Sequence, residues 1–206
     1  MYRVPGTFVV LEGGDGSGKT TLARLIGDEL HAQGARVLNT EEPSGGPVGM
    51  LLRRMLAERP LSPEAMALLY AADRAHHTET VIRPALARGE VVLCTRYVLS
   101  SLAYQGPHVG LECVMELNVH ALKPDLLLFL ECPVGVALGR AGAARVLDAY
   151  ETPAVAASAA DGYARALTYL ESQGQRVVRV DATRGPAQVL RTALEQVLPL
   201  LPRTGP

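Results

Sequence analysis

A glycine-rich run near the start of the chain restricts the possible folds more than any other feature. Residues 13–20 read Gly-Gly-Asp-Gly-Ser-Gly-Lys-Thr, which matches the pattern Gly-x4-Gly-Lys-Thr in full. A short apolar run, Phe8–Glu12, precedes it, and a segment of helical period, Lys19–Ala32, follows it. In such a strand-loop-helix, backbone N–H groups turn inward around phosphate oxygens and the helix N-terminus adds partial positive charge. The run therefore predicts a phosphate-binding loop; an ordinary glycine-rich turn would need neither Lys19 nor Thr20.

The residue types in this loop predict a nucleoside triphosphate ligand. Lys19 can reach the β- and γ-phosphates and is predicted to be catalytic, while the Thr20 hydroxyl can bind Mg²⁺. The predicted ATP ligands are Gly13, Gly14, Asp15, Gly16, Ser17, Gly18, Lys19, Thr20 and Thr21. GTPases, ATPases and small-molecule kinases share this loop, so it does not identify the acceptor.

Further apolar runs and helical segments alternate along the chain and predict an α/β fold of the P-loop NTPase type. The runs lack apolar–polar alternation, as expected for strands that are buried on both faces of a parallel sheet. The predicted strands are Phe8–Glu12, Arg36–Asn39, Val91–Thr95, Leu126–Glu131 and Arg176–Asp181. The other predicted helices are Val48–Ala57, one opened by Ser62-Pro63-Glu64, Thr78–Arg88, Val109–Ala121, Val134–Arg140, Ala159–Ser172 and Pro186–Leu198. Right-handed crossovers then give a five-stranded parallel sheet with helices on both faces.

Composition limits the partners and the compartment. The chain has 206 residues and a formal net charge of −1, so no electrostatic grip on nucleic acid or on an anionic membrane is expected. No stretch approaches the roughly 18–20 apolar residues of a membrane span, and no signal peptide is recognisable, which favours a cytoplasmic protein. Cys94, Cys113 and Cys132 fit no zinc pattern and are expected to be small buried thiols. Residues 1–206 are expected to form one domain, with a mobile segment of weak periodicity at about 141–160.

Two further segments are candidates for the acceptor site. Tyr70 and Arg74 are four residues apart in a helical stretch, where an aromatic face beside a guanidinium suits a flat heterocycle. Taken alone, the simpler alternative is that Tyr70 packs in the core and Arg74 forms a surface ion pair. Arg96 follows a buried strand, at the sheet edge where ligands bind in α/β folds, and can bind a phosphate with two hydrogen bonds. Nearby polar side chains, each of which helix packing could also explain alone, are Ser100, Ser101, Tyr104 and Gln105.

Taken together, these motifs resemble the bacterial thymidylate kinases. The matching stretches keep the family order over nearly the whole chain: residues 11–21, 61–64, 70–74, 81–86, 96–106, 122–126 and 180–184. The resemblance implies a five-stranded parallel sheet, a homodimer, and the reaction ATP + dTMP → ADP + dTDP with Mg²⁺.

The resemblance also implies individual roles. Asp15 would bind the deoxyribose 3′-OH, Tyr70 would stack on thymine, Arg74 would contact the base edge, and Arg96 would bind the acceptor phosphate. Tyr104 would press on the sugar where a ribose 2′-OH would lie. The remaining implied residues are Pro43, Ser100, Ser101 and Gln105 for dTMP, and Arg184 in the loop beside adenine.

One family subtype carries a catalytic arginine in the P-loop, and the other carries it in a lid. Gly16 and Ser17 occupy the P-loop here, so the resemblance assigns this role to the lid arginine Arg145 and the adenine flank to Arg140.

Three departures from the family pattern leave alternatives open. Thr95 replaces an aspartate that helps to organise Mg²⁺, Glu41 replaces an arginine, and the lid is poor in charge. In a working enzyme, Glu12 or Asp15 could share the metal-organising role. The alternatives are a weakened enzyme or nucleotide-binding protein, and a P-loop kinase for another small acceptor such as a deoxynucleoside. The intact Lys19, Thr20, Arg74 and Arg96 favour activity.

Overall fold

The computed structural model of the protein describes residues 6–58, 61–144 and 153–201. Their strands form a five-stranded parallel sheet, as predicted, and the strand order is β2-β3-β1-β4-β5. The strands are β1 (Thr7–Glu12), β2 (Val37–Glu41), β3 (Val91–Thr95), β4 (Leu126–Glu131) and β5 (Val177–Asp181). Because all strands run the same way, the segments that follow them emerge at one edge of the sheet, where the candidate site lies.

Helices connect the strands. Their bounds are α1 (Lys19–Ala32), α2 (Pro47–Glu58), α3 (Pro63–His77), α4 (Arg83–Ala87), α5 (Val98–Tyr104), α6 (Gly106–Val109), α7 (Leu111–Leu117), α8 (Val134–Ala144), α9 (Pro153–Ser172) and α10 (Pro186–Val197). A π-helical turn at Thr78–Ile82 joins α3 to α4, so Pro84 lies in the first turn of α4, where its missing N–H is tolerated.

One helix prediction was wrong. The segment predicted as one helix, Val109–Ala121, is divided between α6 and α7, because Gly110 lies between them with a φ of +91°. Both ends of the segment 141–160, which has weak periodicity in the sequence, are helical, and residues 145–152 lie outside the described residues.

Both faces of the sheet carry an apolar core, as predicted, but burial on both faces holds only for the central strands β1, β3 and β4; the edge strands β2 and β5 are half-buried or exposed at most positions, because each has a neighbouring strand on one side only. Phe8 and Val10 of β1 pack on one face with residues of α5 and α9, while Val9 and Leu11 pack on the other with α1 and α10. Successive side chains of a strand point to opposite faces of the sheet, so the side chains of a strand that is buried on both faces join two different cores.

The expectation of three buried cysteines was wrong. Cys94 is buried on β3, but Cys113 is exposed on α7 and Cys132 is half-buried after β4. None of the helices in the described ranges combines the length and the hydropathy that a bilayer span requires.

Candidate active site

The glycine-rich loop joins β1 to α1, as predicted. Gly13, Gly16 and Gly18 have φ values of +140°, +75° and +95°, which side-chain-bearing residues rarely adopt. The loop also packs closely against α8, because a Cβ atom on Gly16 would lie 2.1 Å from the carbonyl oxygen of Ala137. A side chain at position 16 therefore has no room in this arrangement.

Lys19 lies at the first position of α1 and is buried beneath the loop. Its Nζ atom donates a hydrogen bond of 2.7 Å to the carbonyl oxygen of Gly14. Burial and the nearby Arg96 guanidinium lower the pKa of Lys19 to about 7, against the opposing effect of Asp15 and Glu12. The Thr20 and Thr21 side chains, by contrast, are exposed at the helix N-terminus.

Arg96 follows β3 in a left-handed conformation, with a φ of +64°. Its guanidinium forms an ion pair with Asp15 of the loop and lies 5.4 Å from the centre of the Tyr104 ring. It also donates to the hydroxyls of Ser100, at 3.4 Å, and Tyr163, at 3.5 Å. The side chain is 23 % exposed, so one part of this cation remains accessible to a ligand.

A buried carboxylate fixes the backbone around Arg96. Glu12, at the end of β1, accepts hydrogen bonds from the backbone N–H groups of Tyr97 (2.6 Å) and Ser100 (3.0 Å) and from the Ser100 hydroxyl (2.6 Å). These N–H groups belong to the first turn of α5, so Glu12 caps this helix from a neighbouring strand. Its oxygens are therefore engaged in the fold, which leaves them poorly suited to the metal-organising role considered from the sequence.

Arg74 is buried on α3, so it does not form the surface ion pair that the simpler alternative in the sequence analysis predicted. Its guanidinium donates to Asn118 Oδ1 at 2.5 Å and to Ser101 Oγ at 3.1 Å, and lies 2.8 Å from Glu42 Oε2. Its Nε atom has no hydrogen-bond partner among the described residues, and the same holds for Oε1 of Gln105. A buried donor and a buried acceptor are thus left for a ligand.

A cleft of about 1350 Å³ is lined by Arg74, Arg96 and Gln105, whereas Lys19 and Glu12 are not among the described residues on its wall. Tyr70, half-buried on α3, lines it, and burial raises the pKa of this phenol. The other predicted residues on its wall are Gly14, Asp15, Pro43, Arg74, Arg96, Ser100, Ser101, Tyr104 and Gln105. The structure therefore brings Gly14 and Asp15 of the phosphate-binding loop together with the complete predicted acceptor set; none of the other predicted ATP ligands, all of which the structure describes, lines this cleft.

Comparisons with known proteins agree with this geometry. The sequence model of the thymidylate kinase family matches residues 11–193. The chain belongs to the thymidylate kinase family. It is 44 % identical to the thymidylate kinase of Leifsonia xyli over 191 residues, which cover 87 % of this chain and 89 % of the relative. The thymidylate kinase of Synechococcus sp. (strain JA-2-3B'a(2-13)) is 43 % identical over 201 residues, 95 % of this chain and 96 % of the relative. A probable thymidylate kinase of Pyrococcus abyssi is 47 % identical over 142 residues, 66 % of this chain and 69 % of the relative.

Membership of the thymidylate kinase family confirms the predicted fold class and the predicted enzyme class, a P-loop nucleoside monophosphate kinase. The alternative of a non-catalytic nucleotide-binding protein finds no support in these relatives.

Two of the residues that depart from the thymidylate kinase pattern, Thr95 and Glu41, have defined surroundings in the structure. Thr95 is buried at the end of β3, where it pairs in register with Leu11 and Glu41. Glu41 is half-exposed and forms a 2.8 Å ion pair with Arg53, a cleft residue that also donates to the carbonyl of Pro43. Arg53 thus balances the charge of Glu41, so the replacement of an arginine by Glu41 does not leave an unpaired negative charge beside the acceptor site.

The residues assigned to the adenine side lie near the end of β5. Arg140, near the end of α8, donates to the carbonyl oxygen of Ala182 at 2.7 Å, so α8 is tied to the loop that follows β5. Arg184 is exposed and forms a 2.9 Å ion pair with Asp181. Arg145, the predicted lid arginine, lies outside the described residues.

Sequence reasoning missed the buried partners that hold the arginines. Glu42 contacts His77 Nδ1 at 3.2 Å as well as Arg74, and His77 Nε2 lies 2.8 Å from Thr40 Oγ1. Arg74 and His77 are three residues apart on α3, a spacing that could have indicated a shared partner. For Asn118 no local sequence signal indicated the contact.

Proposed function

We propose that this chain transfers the γ-phosphoryl group of ATP to dTMP, giving ADP and dTDP. The observation that carries the proposal is the cleft that joins the Lys19 loop to the buried Arg74 and the partly exposed Arg96. Phosphoryl transfer needs little from a protein beyond positioning and charge stabilisation. The loop amides and Lys19 would hold the donor phosphates, and Arg96 would hold the acceptor phosphate on the other side of the transferred group.

The acceptor pocket suits a thymine base. Thymine presents a carbonyl acceptor at O4 and an N–H donor at N3, which match the unpaired Nε of Arg74 and the unpaired Oε1 of Gln105. Cytosine reverses both groups and would leave the two buried protein atoms unpaired, at about 1–3 kcal/mol for each. Tyr70 would stack on the base, Tyr104 would press on the sugar, and Ser100, Ser101, Asp15 and Pro43 would complete the dTMP site.

The chain fits Mg²⁺ delivered with ATP better than a metal held by protein alone. The described residues contain no group of three or more His, Cys, Asp or Glu side chains that could hold a metal ion. Mg²⁺ is often held by one or two protein oxygens together with substrate phosphates and waters. Thr20 would supply the protein oxygen, and the ion would neutralise charge on the phosphates.

The lid is proposed to supply the arginine that stabilises the charge of the transferred phosphoryl group. The close approach of Gly16 to α8 disfavours a P-loop arginine, and the bond of Arg140 to Ala182 suits a role beside adenine together with Arg184. Arg145 of the lid, in the segment 141–160, is therefore the proposed catalytic arginine. On the family resemblance alone, we also propose a single-domain chain that forms a homodimer in the cytoplasm.

A coupled assay of ADP release over nucleoside monophosphates tests the proposal. With Mg²⁺ and ATP, dTMP should be the preferred acceptor and dUMP the next best. Lys19→Ala should remove turnover while the melting temperature stays close to that of the wild type. Equal or faster turnover of AMP, CMP or GMP would contradict the assignment.

Arg96→Ala separates this function from phosphorylation of a deoxynucleoside. A monophosphate acceptor should lose several kcal/mol of transition-state stabilisation, the usual range for removing one partner of a buried charged contact. A deoxynucleoside acceptor has no phosphate for Arg96 to bind, so a negligible effect would favour that alternative.

A further inference from the structure

One buried side chain touches both phosphate sites without belonging to the predicted ligand set. Tyr163 lies on α9, the helix that begins within the proposed lid segment 141–160, and only 3 % of its surface is exposed. Its hydroxyl lies 3.1 Å from the carbonyl oxygen of Gly13 in the donor loop and 3.5 Å from the guanidinium of Arg96. The Ser100 hydroxyl is 3.0 Å away.

Chemistry limits the donors and acceptors at this point. The Ser100 hydroxyl has one proton, and its shortest contact, 2.6 Å, is to the Glu12 carboxylate. Arg96 can only donate, so it donates to the Tyr163 oxygen. The Tyr163 hydroxyl donates in turn, and the acceptors in reach are the Gly13 carbonyl at 3.1 Å, Ser100 Oγ at 3.0 Å and Glu12 Oε2 at 3.5 Å. Burial raises the pKa of Tyr163 well above its ordinary value, so the phenol keeps this proton.

Close packing keeps the hydroxyl in place. The Tyr163 ring contacts Phe129 and Tyr104, with ring centres 5.3 Å and 5.8 Å apart. At the neighbouring Gly162, a Cβ atom would lie 2.1 Å from the carbonyl oxygen of Ala103, so the backbones of α9 and α5 are in direct contact. The hydroxyl can therefore leave the Gly13 carbonyl and Arg96 only if α9 shifts.

We propose that the Tyr163 hydroxyl is a positioning group that holds the donor loop and the acceptor arginine in a fixed relation. In a trans peptide the C=O and the following N–H point in opposite directions, so holding the Gly13 carbonyl also orients the Gly14 N–H. The inference rests on the proposed function, which gives the loop and Arg96 their ligands. Misplacing reacting groups slows the chemical step more than it weakens binding.

Tyr163→Phe tests this role, because it removes the hydroxyl and keeps the ring contacts. Tyr169→Phe is the matched control, since Tyr169 lies on the same helix, is half-buried and packs against the same core. We expect kcat of Tyr163→Phe to fall roughly tenfold, the effect of one hydrogen bond of about 1.4 kcal/mol. The dissociation constants for dTMP and for an unreactive ATP analogue should stay within about threefold of the wild type.

If Tyr163 had only a structural role, Tyr163→Phe would lower the melting temperature and the amount of folded enzyme. It would not lower kcat while leaving the dissociation constants unchanged. The inference is overturned if Tyr163→Phe keeps kcat within about twofold of the wild type, or if Tyr169→Phe loses as much. If the wild type phosphorylates dTMP and Tyr163→Phe is equally active, only the role of Tyr163 is refuted. A wild type that does not phosphorylate dTMP refutes the proposed function, and this inference with it.

Discussion

The buried Lys19 predicts that donor binding takes up a proton. Its pKa is about 7 in the free protein, against an ordinary value of 10.5. Bound phosphates favour the charged form, so they should return the pKa towards its ordinary value or above. At pH 8 about nine in ten free molecules then carry a neutral Lys19, and binding an ATP analogue should take up about 0.9 proton. Affinity should weaken by nearly tenfold for each pH unit above about 7, until the pKa of the bound form is reached.

Isothermal titration calorimetry in two buffers of different ionisation enthalpy, Tris and Hepes, measures this proton uptake. An unreactive ATP analogue with Mg²⁺ is suitable at pH 8, since phosphate groups with a second pKa of about 6 are already ionised there. Lys19→Arg is the control, because the guanidinium stays protonated and should remove both the proton uptake and the pH dependence. Buffer-independent heats at pH 8, with an affinity that is constant from pH 7 to 9, would refute the reasoning.

Three further predictions concern single substitutions. Glu12→Ala leaves two backbone N–H groups of α5 unsatisfied and should lower the free energy of unfolding by about 3 kcal/mol in urea titrations; a loss below about 1 kcal/mol would contradict the capping role. Gly16→Ala should lower the melting temperature, because position 16 has a positive φ and an added Cβ atom would clash with α8. Gly14→Ala is the control and should not lower it, because an added Cβ atom there would have nothing within 4 Å. Equal melting temperatures would argue against the close packing at Gly16. Glu41→Gln should change the free energy of unfolding by less than about 0.5 kcal/mol, because the ion pair of Glu41 with Arg53 is half-exposed. The same substitution should leave KM for dTMP equal to or lower than that of the wild type. A higher KM would show that Glu41 assists acceptor binding.

Much of the fold could be predicted from local patterns. The central strands β1, β3 and β4 are largely apolar because both of their faces are buried, and the predicted and observed bounds of β3, β4 and α1 coincide. The prediction failed where one residue decides the local geometry. Gly110 divides the predicted helix Val109–Ala121, since periodicity alone does not reveal a residue with positive φ.

The sequence indicated residues that line the candidate site, but not the residues that support them. Motif spacing indicated Lys19, Arg74 and Arg96, whereas burial of Arg74 depends on Asn118, which lies 44 positions further along the chain. A helical pattern cannot distinguish a buried arginine from a surface one when its partners come from other elements. For the same reason Tyr163, 67 positions from Arg96, carried no signal of its contacts.

The cations of the two substrate sites are maintained in different ways. Arg74 is held in the interior by contacts with Glu42, Asn118 and Ser101, an arrangement whose desolvation cost makes it a poor source of stability. With those contacts in place, the Nε atom of its guanidinium has no hydrogen-bond partner among the described residues, so in the proposed function the direction of its hydrogen bond to the base is set before the acceptor arrives. Lys19 has no comparable shell, and burial favours its neutral form until phosphates are present. The acceptor site is therefore charged and oriented in advance, whereas full charge in the donor site depends on the nucleotide.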